Sequence, residues 1–238
     1  YIFLEIVTVV STVLVIHERK PESLEAGLKY LILCSVGASI LLVSTVVLIS
    51  QKTALDFVTL AQFFANNKAV LDKGLINLCF IAFFLGLGVK AGIVPLHFWL
   101  PDAHAEAPAP ISALLSGAMI QVAAYGMLRT MLVMKPVITT EMTLIMIIVG
   151  IITILLGALL ALVQTDIKRL LAYSSIDEIG YIVLGIGIGT TVGLYGAVFH
   201  IINHAIVKGM MFLISAALIV TVHERDITKL GGLVRVMP

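Results

Sequence analysis

Residues Gly86–Gly117 read GLGVKAGIVPLHFWLPDAHAEAPAPISALLSG, and they interrupt the hydrophobic pattern of the chain near its middle. An apolar run enters this segment and meets Lys90. Four prolines follow within sixteen residues, at positions 95, 101, 108 and 110, and a second apolar run then leaves. A broken helix is tolerated at membrane depth only where it lies inside protein or lines a cavity. A lysine beside such a break therefore predicts a functional site.

The composition is that of a membrane protein. Hydrophobic residues make up 60% of the 238 residues, charged residues make up 12%, and the mean hydropathy is +1.13. Apolar stretches close to the ~20 residues that cross a bilayer as a helix recur along the chain. We therefore predict an all-α, polytopic transmembrane helix bundle. The net charge of +1 gives no electrostatic reason to expect a nucleic-acid partner.

The apolar runs predict a single membrane domain over residues 1–238 with about seven transmembrane helices. The predicted spans are 1–16, 28–50, 75–95, 111–134, 142–163, one that starts near 170, and 194–222. We predict a polar loop at 17–29 and a short interfacial helix within 51–73. The chain begins inside an apolar run and ends after a polar segment, so we expect it to be a central fragment of a longer subunit.

Lysine and arginine residues fall unevenly on the two sides of this arrangement. The side that includes the 17–29 loop collects Arg19, Lys20, Lys29, Lys168, Arg169, Arg225, Lys229 and Arg235. The other side collects Lys52, Lys68, Lys73, Arg129 and Lys135. Because basic residues favour cytoplasmic loops, the first side is predicted to be cytoplasmic.

Charged and titratable residues inside the predicted spans are the main functional signal, because such groups usually face a protein interior or a water-filled cavity. They are Glu5, Lys90, Asp177, Glu178, His200, His204 and Lys208.

Lys90 is predicted to lie at a kink. Pro95 lacks an N–H and its ring clashes with the carbonyl four residues back, at Ala91, and Gly92 lies between them. Burial favours a neutral lysine, whereas a nearby carboxylate favours a charged one, so a lysine and a glutamate whose separation changes form a proton switch. Glu5 is the candidate partner. The alternative is a lysine that extends to the membrane surface, which a depth of about fifteen residues disfavours.

His200, His204 and Lys208 are spaced i, i+4, i+8, which places them on one face of a helix. Histidine changes charge near neutral pH, so the row predicts a proton relay. The alternative is that the histidines form hydrogen bonds that hold helices together. The Asp177–Glu178 pair is a further possible part of the path.

The proline-rich break contains His97, Asp102 and His104, which are predicted either to begin or end a proton path or to cap helix ends. Neither HExxH nor CxxC occurs, so we predict no metal and no cofactor on this chain. Haem ligation by histidines of different spans remains an alternative.

Several segments resemble the antiporter-like, proton-conducting membrane subunit family. That family includes the large membrane subunits of respiratory complex I, the Mrp antiporters and the membrane arms of energy-converting hydrogenases. The segments are VKAGIVPLHFWLPDAHAEAPAPISALLSG (89–117), AAYGMLR (123–129), QTDIKRLLAYSSI (164–176) and HIINHAIVKGMMFL (200–213).

The resemblance implies an inverted-repeat fold with a broken helix. FLEIVTVVSTVLV resembles the helix that carries the family's glutamate, which implies a translocation role for Glu5. By the same comparison Lys90 is the lysine of the first broken helix, and HIINHAIVKG is the relay helix. The chain departs from many relatives at Gln121, where they have a lysine that links two half-channels.

From these observations we expect a proton- or Na⁺/H⁺-translocating subunit of a membrane-bound respiratory redox complex. Its partners would be further antiporter-like subunits and a peripheral electron-transfer arm, in a prokaryotic cytoplasmic membrane rather than an organelle inner membrane. The alternative, motivated by Gln121, is a non-conducting subunit that only scaffolds the membrane arm. A haem-binding membrane anchor is the third alternative.

Overall fold

The protein is a bundle of α-helices joined by short turns. The computed structural model describes residues 2–50, 56–69 and 71–233. In chain order its helices are α1 (Ile2–Val15), α2 (Pro21–Ser50), α3 (Phe57–Asn67), α4 (Lys73–Ala91), α5 (Trp99–Glu106), α6 (Ala109–Leu114), α7 (Ile120–Met134), α8 (Thr140–Leu162), α9 (Ile167–Ile188) and α10 (Thr191–Val222). A single π-helical turn, Leu115–Met119, joins α6 to α7. The predicted all-α architecture is confirmed.

Six segments of the described chain are long and apolar enough to cross a membrane. They are Pro21–Leu48, Lys73–Ala91, Ala109–Met134, Thr140–Leu162, Ile167–Ile188 and Thr191–Val222. The first predicted span corresponds to α1, which has 14 residues in the structure.

The predicted loop at 17–29 is wrong, because α2 already begins at Pro21. Proline suits the first helical position, where its missing N–H has no partner to lose. Glu22 lies in the first turn, where a negative charge is favourable to the helix dipole. Lys29 pairs with Glu25 at 2.8 Å, one turn away. The charged residues Glu22, Glu25 and Lys29, which interrupt the hydrophobic pattern, therefore lie in the exposed first turns of α2.

The polar segment predicted to hold an interfacial helix contains α3. Asp56 caps this helix, because its carboxylate accepts the Thr59 N–H at 2.8 Å. Residues 51–55 and 70 of that prediction lie outside the described residues, as do residues 234–238 of the C-terminal segment.

The first broken helix ends at Gly92 rather than bending at Pro95. Gly92 adopts a left-handed conformation (φ 77°) after the last residue of α4, and its N–H donates to the carbonyl of Gly88 at 2.9 Å. This is a glycine-terminated helix end, for which glycine pays no steric cost. Pro95, which follows a cis peptide bond, lies three residues beyond that end.

Close packing between α8 and α9 depends on glycines. A Cβ atom placed on Gly157 would lie 2.5 Å from the backbone N of Asp177, and one on Gly180 would lie 2.7 Å from the backbone N of Ile154. A side chain at either position would therefore push one helix backbone away from the other. α2 and α4 approach in the same way, at Gly37 and Gly86.

Replacing Gly157 by Ala should destabilise the protein, because the new methyl group meets backbone that cannot move aside. We expect a loss of about 1–3 kcal/mol, the usual cost of overpacking. The midpoint of thermal unfolding of the detergent-solubilised protein measures it. Gly196→Ala is the matched control, since a Cβ at Gly196 meets no atom within 4 Å. Equal midpoints for the two variants would contradict the proposed backbone contact.

Candidate functional site

Lys90 lies in the last turn of α4 and is buried, with 3% of its surface exposed. Its Nζ donates to Thr8 Oγ1 at 2.8 Å and to the Tyr30 hydroxyl at 2.6 Å. Tyr30 OH in turn lies 2.7 Å from Ser11 Oγ. All these partners are neutral hydroxyls. Among the described residues, no carboxylate forms an ion pair with Lys90 within 4.0 Å.

Glu5 lies near Lys90 without touching it. It is on α1, one turn before Thr8, and its Oε1 accepts from Ser35 Oγ at 2.7 Å. Its other carboxylate oxygen, Oε2, is buried and finds no hydrogen-bond partner among the described residues. Lys90 and Glu5 are near enough to interact electrostatically. The structure therefore brings the two predicted switch residues to one site, and they are separated there.

Two carbonyls near the end of α4 accept hydrogen bonds from residues just beyond that helix. The carbonyl of Val89 accepts from the Trp99 indole N–H at 2.7 Å, and the Ile93 N–H donates to the Gly88 carbonyl at 3.1 Å. The Trp99 ring also packs against the Tyr30 ring, with 4.7 Å between centroids. The start of α5 is thereby fixed against the partners of Lys90.

The predicted relay residues lie in a row on α10 and face α9. His200 Nε2 is 2.6 Å from Glu178 Oε2, and Lys208 Nζ donates to Ser174 Oγ at 2.6 Å. The His200 and His204 rings are 6.4 Å apart between centroids. His204 and Lys208 are buried, and His200 is partly exposed. Side chains of α9 therefore hold the two ends of the row, His200 and Lys208.

Gln121 contacts the middle of this row. Its Nε2 lies 2.7 Å from His204 Nδ1. An amide nitrogen can only donate, so in this orientation Nδ1 accepts and a neutral imidazole carries its proton on Nε2. The π-helical turn ends at Met119, two residues before Gln121. Within that turn, Ser116 Oγ is 2.9 Å from Ser175 Oγ. The α7 end of the break is thus attached to both α9 and α10.

Asp177 lies apart from the relay contacts. Its backbone packs against Gly157 of α8. Its Oδ1 is buried, and no described residue forms a hydrogen bond with it. It interacts electrostatically with Glu178, His200 and Lys208.

Asp102 joins α5 to two other helices. Its Oδ2 accepts from Lys29 Nζ at 3.1 Å, and its Oδ1 from Arg169 Nη2 at 3.0 Å. Among the described residues it therefore forms ion pairs and accepts no backbone N–H that would make it a helix cap. His97 is buried and its ring stacks on Phe98; its Nδ1 finds no partner in the same residues.

His104 is completely buried in the last turn of α5. Neither of its ring nitrogens has a hydrogen-bond partner in the part of the chain that the structure describes. Its ring stacks on Phe212 of α10, with 4.8 Å between centroids and 16° between planes. Phe212 is one helical turn beyond Lys208, so His104 lies beside the relay helix.

Lys168 is the functional candidate that the sequence did not reveal. It was counted as a loop charge, yet it is the second residue of α9 and only 5% exposed. Its Nζ donates to the carbonyls of Ala105, at 3.1 Å, and Ala107. The available signal for this position was Asp166, a residue type that favours helix starts. In the structure Asp166 caps α9 by accepting the N–H groups of Lys168 and Arg169. The hydroxyl partners Thr8, Ser11, Tyr30, Ser35 and Ser174 were also missed, because a hydroxyl within an apolar run carries little signal.

These contacts form two clusters of polar groups. The first surrounds Lys90, and the second surrounds the row from His200 to Lys208. Within the described chain, no hydrogen bond or ion pair connects one cluster to the other. A cavity of about 470 Å³ between α1 and α7 reaches Lys90, and one of about 390 Å³ between α9 and α10 reaches Glu178 and His200.

Comparisons with known proteins agree with this arrangement. The family described as "NADH:quinone oxidoreductase/Mrp antiporter, TM" matches residues 1–238. The sequence is 35% identical to hydrogenase-4 component B of Escherichia coli (strain K12) over all of this chain and 36% of that protein. It is 32% identical to NADH-quinone oxidoreductase subunit M of Rickettsia prowazekii over all of this chain and 48% of that protein.

Solved structures share the fold. A chain of the membrane-bound sulfane sulfur reductase, an archaeal respiratory membrane complex, superposes with a TM-score of 0.88 at 30% identity. The match covers 95% of this chain and 46% of that one. A chain of the Mrp complex from Dietzia sp. DQ12-45-1b gives a TM-score of 0.77 at 24% identity, over 87% of this chain and 37% of that one.

The chain spans less than half the length of these relatives. The match nevertheless includes both polar clusters and the break between them, and the resemblance inferred from the sequence motifs is confirmed. The chain is a polytopic membrane segment that belongs to the NADH:quinone oxidoreductase/Mrp antiporter transmembrane family.

Proposed function

We propose that this chain is the ion-translocating part of a subunit that moves protons, or exchanges Na⁺ for H⁺, within a membrane-bound redox complex. The observation that carries the proposal is the state of Lys90. It is an ionisable group buried in a membrane helix, and among the described residues its hydrogen-bond partners are all hydroxyls. A buried carboxylate oxygen of Glu5 nearby finds no hydrogen-bond partner in the same part of the chain.

The free energies that would control the charge of Lys90 are similar in size. Placing a charged lysine at the centre of a membrane helix costs about 2.5–3.5 kcal/mol on insertion scales. A carboxylate at about 4 Å would favour the charged form by about 4 kcal/mol at an effective dielectric constant near 20. Movement of Glu5 toward or away from Lys90 would therefore load or release one proton. In this proposal, an arrangement without a Glu5–Lys90 ion pair would be the separated state of the switch.

The second cluster would continue the path. His200, with its carboxylate partner Glu178, His204 and Lys208 are each able to bind and release a proton. Among the described residues no hydrogen bond joins the His200 and His204 rings, whose centroids are 6.4 Å apart. Transfer along the row would therefore use bridging water molecules.

The redox chemistry would belong to other subunits. The names of the relatives support this: they are components of a hydrogenase and of an NADH-quinone oxidoreductase, and one structural relative is part of a respiratory membrane complex. We propose that the partners are further antiporter-like membrane subunits and a peripheral electron-transfer arm. The bacterial relatives favour a prokaryotic plasma membrane.

A structural subunit without conduction is the second candidate. Gln121 favours it, because an amide in contact with His204 can orient the imidazole but cannot take a proton up and release it. The missing direct connection between the two clusters favours it as well.

Lys90→Met distinguishes the two functions. Methionine keeps the length and loses the charge, so ion transport per electron transferred should fall by about 10²-fold, the usual effect of removing a proton-transfer group. The measurement is the quenching of an acid-sensitive dye during redox turnover, in proteoliposomes that contain the intact complex. Lys73→Met, an exposed change at the start of the same helix, is the control. Wild-type quenching in Lys90→Met would mean that this chain is a scaffold.

Glu178→Gln tests the second cluster. The neutral amide should weaken the contact with His200, since a hydrogen bond to a charged group contributes about 1.5–3 kcal/mol. Dye quenching per electron transferred should then fall by about tenfold, which corresponds to ~1.4 kcal/mol. Glu141→Gln, at an exposed position at the start of α8, is the matched control. If both variants pump like the wild type, Glu178 lies outside the ion path.

A further inference from the structure

The C-terminal end of α5 exposes backbone carbonyls in the interior of the protein. α5 stops before Pro108, which has no N–H to donate, and Ala107 is extended (φ −63°, ψ 147°). The last carbonyls of any helix lack partners within the helix. Inside a membrane domain they must be satisfied by other groups, because no bulk water reaches them.

Side chains from distant parts of the sequence supply those partners. Lys168 Nζ donates to the carbonyls of Ala105 and Ala107, and a terminal guanidinium nitrogen of Arg225 donates to the Ala105 carbonyl as well. The Ser112 hydroxyl donates to the His104 carbonyl at 2.9 Å. Of these groups only Lys168 binds two carbonyls of the segment, one on each side of the helix end.

Lys168 has no direct carboxylate partner. None of the described carboxylates forms an ion pair with it within 4.0 Å, although Asp166 is two residues away and Arg225 holds that carboxylate at 3.3 Å. Its ammonium group is therefore committed to backbone carbonyls. A carbonyl accepts hydrogen bonds but takes up no proton at ordinary pH, so this geometry suits a positioning group better than a proton carrier.

The segment held by Lys168 ends against the relay helix. His104 is in the last turn of α5, and its ring lies flat on Phe212, one turn beyond Lys208. Any movement of the last turn of α5 would shift the His104 ring relative to α10. The start of α5 is fixed separately, by Trp99 on Tyr30 and on the Val89 carbonyl.

We propose that Lys168 is a positioning residue of the ion path: by binding the carbonyls of Ala105 and Ala107, it keeps α5 and His104 in place against the relay helix. This inference rests on the function proposed above. In this role Lys168 stays positively charged and keeps its two hydrogen bonds. It neither takes up nor releases a proton during turnover.

Arginine and methionine at position 168 separate positioning from proton transfer. Arginine keeps the charge and several donors and does not deprotonate in proteins, whereas methionine keeps only the length. In proteoliposomes of the intact complex, Lys168→Met should lower dye quenching per electron transferred by about tenfold or more, the scale of a misplaced reacting group. Lys168→Arg should stay within about twofold of the wild type, since it replaces both functions of the ammonium.

The control is Lys229→Met, an exposed basic residue on the same side that pairs only with surface carboxylates. It should pump like the wild type. If Lys168→Arg pumps as poorly as Lys168→Met, Lys168 exchanges protons itself and the positioning role is wrong. If Lys168→Met pumps like the wild type while Lys90→Met does not, the proposed function stands and this inference fails.

If Lys168→Met prevents assembly of the complex, two milder variants, Lys168→Arg and Phe212→Leu, test the positioning role instead. Phe212→Leu leaves the carbonyl contacts intact and removes the ring on which His104 rests. The proposal requires Lys168→Arg to pump within about twofold of the wild type and Phe212→Leu to pump about tenfold less, as for a displaced group. Wild-type pumping by Phe212→Leu would overturn it.

Discussion

The hydrogen bonds of an interrupted backbone inside a membrane are the constraint on which this structure depends. α4 stops at Ala91, and each freed carbonyl needs a donor from the protein itself. Gly92, Ile93 and the Trp99 indole provide the donors at the first end of the break, and Lys168 and Arg225 provide them at the second. Gly92 and Ile93 belong to the break itself, whereas Trp99, Lys168 and Arg225 come from α5, α9 and the segment after α10. The break therefore holds together helices that are far apart in the sequence.

The need to satisfy the interrupted backbone also places the two polar clusters on either side of one short helix. α5 lies between them, with Trp99 against Tyr30 at one end and His104 against Phe212 at the other. Tyr30 is a partner of Lys90, and Phe212 lies one turn from Lys208. α5 is therefore the one described helix with an aromatic contact to each of these two neighbours.

Charged and titratable residues inside apolar runs could be selected from the sequence as candidate functional residues. Residues that are candidates only because of how the helices pack could not. Lys90, His200, His204 and Lys208 were identified because charge inside a membrane-length run is costly. The sequence did not predict the start of α2 at Pro21. The apolar pattern stops where the charged residues begin, although the helix includes those residues. Lys168 was missed because its burial follows from the position of α9 against α5, and the separation of Glu5 from Lys90 is likewise set by helix packing.

The π-helical turn Leu115–Met119 determines which way α7 faces. One residue in an α-helix corresponds to a rotation of about 100°, so the single wide turn sets the direction of every side chain that follows it. Gln121 meets His204 because of that rotation. The direction in which Gln121 points is thus set by the number of residues between Pro110 and Gln121. It does not depend on the identity of any one side chain in that stretch. Insertions and deletions in this short stretch would alter the site more than most substitutions in it.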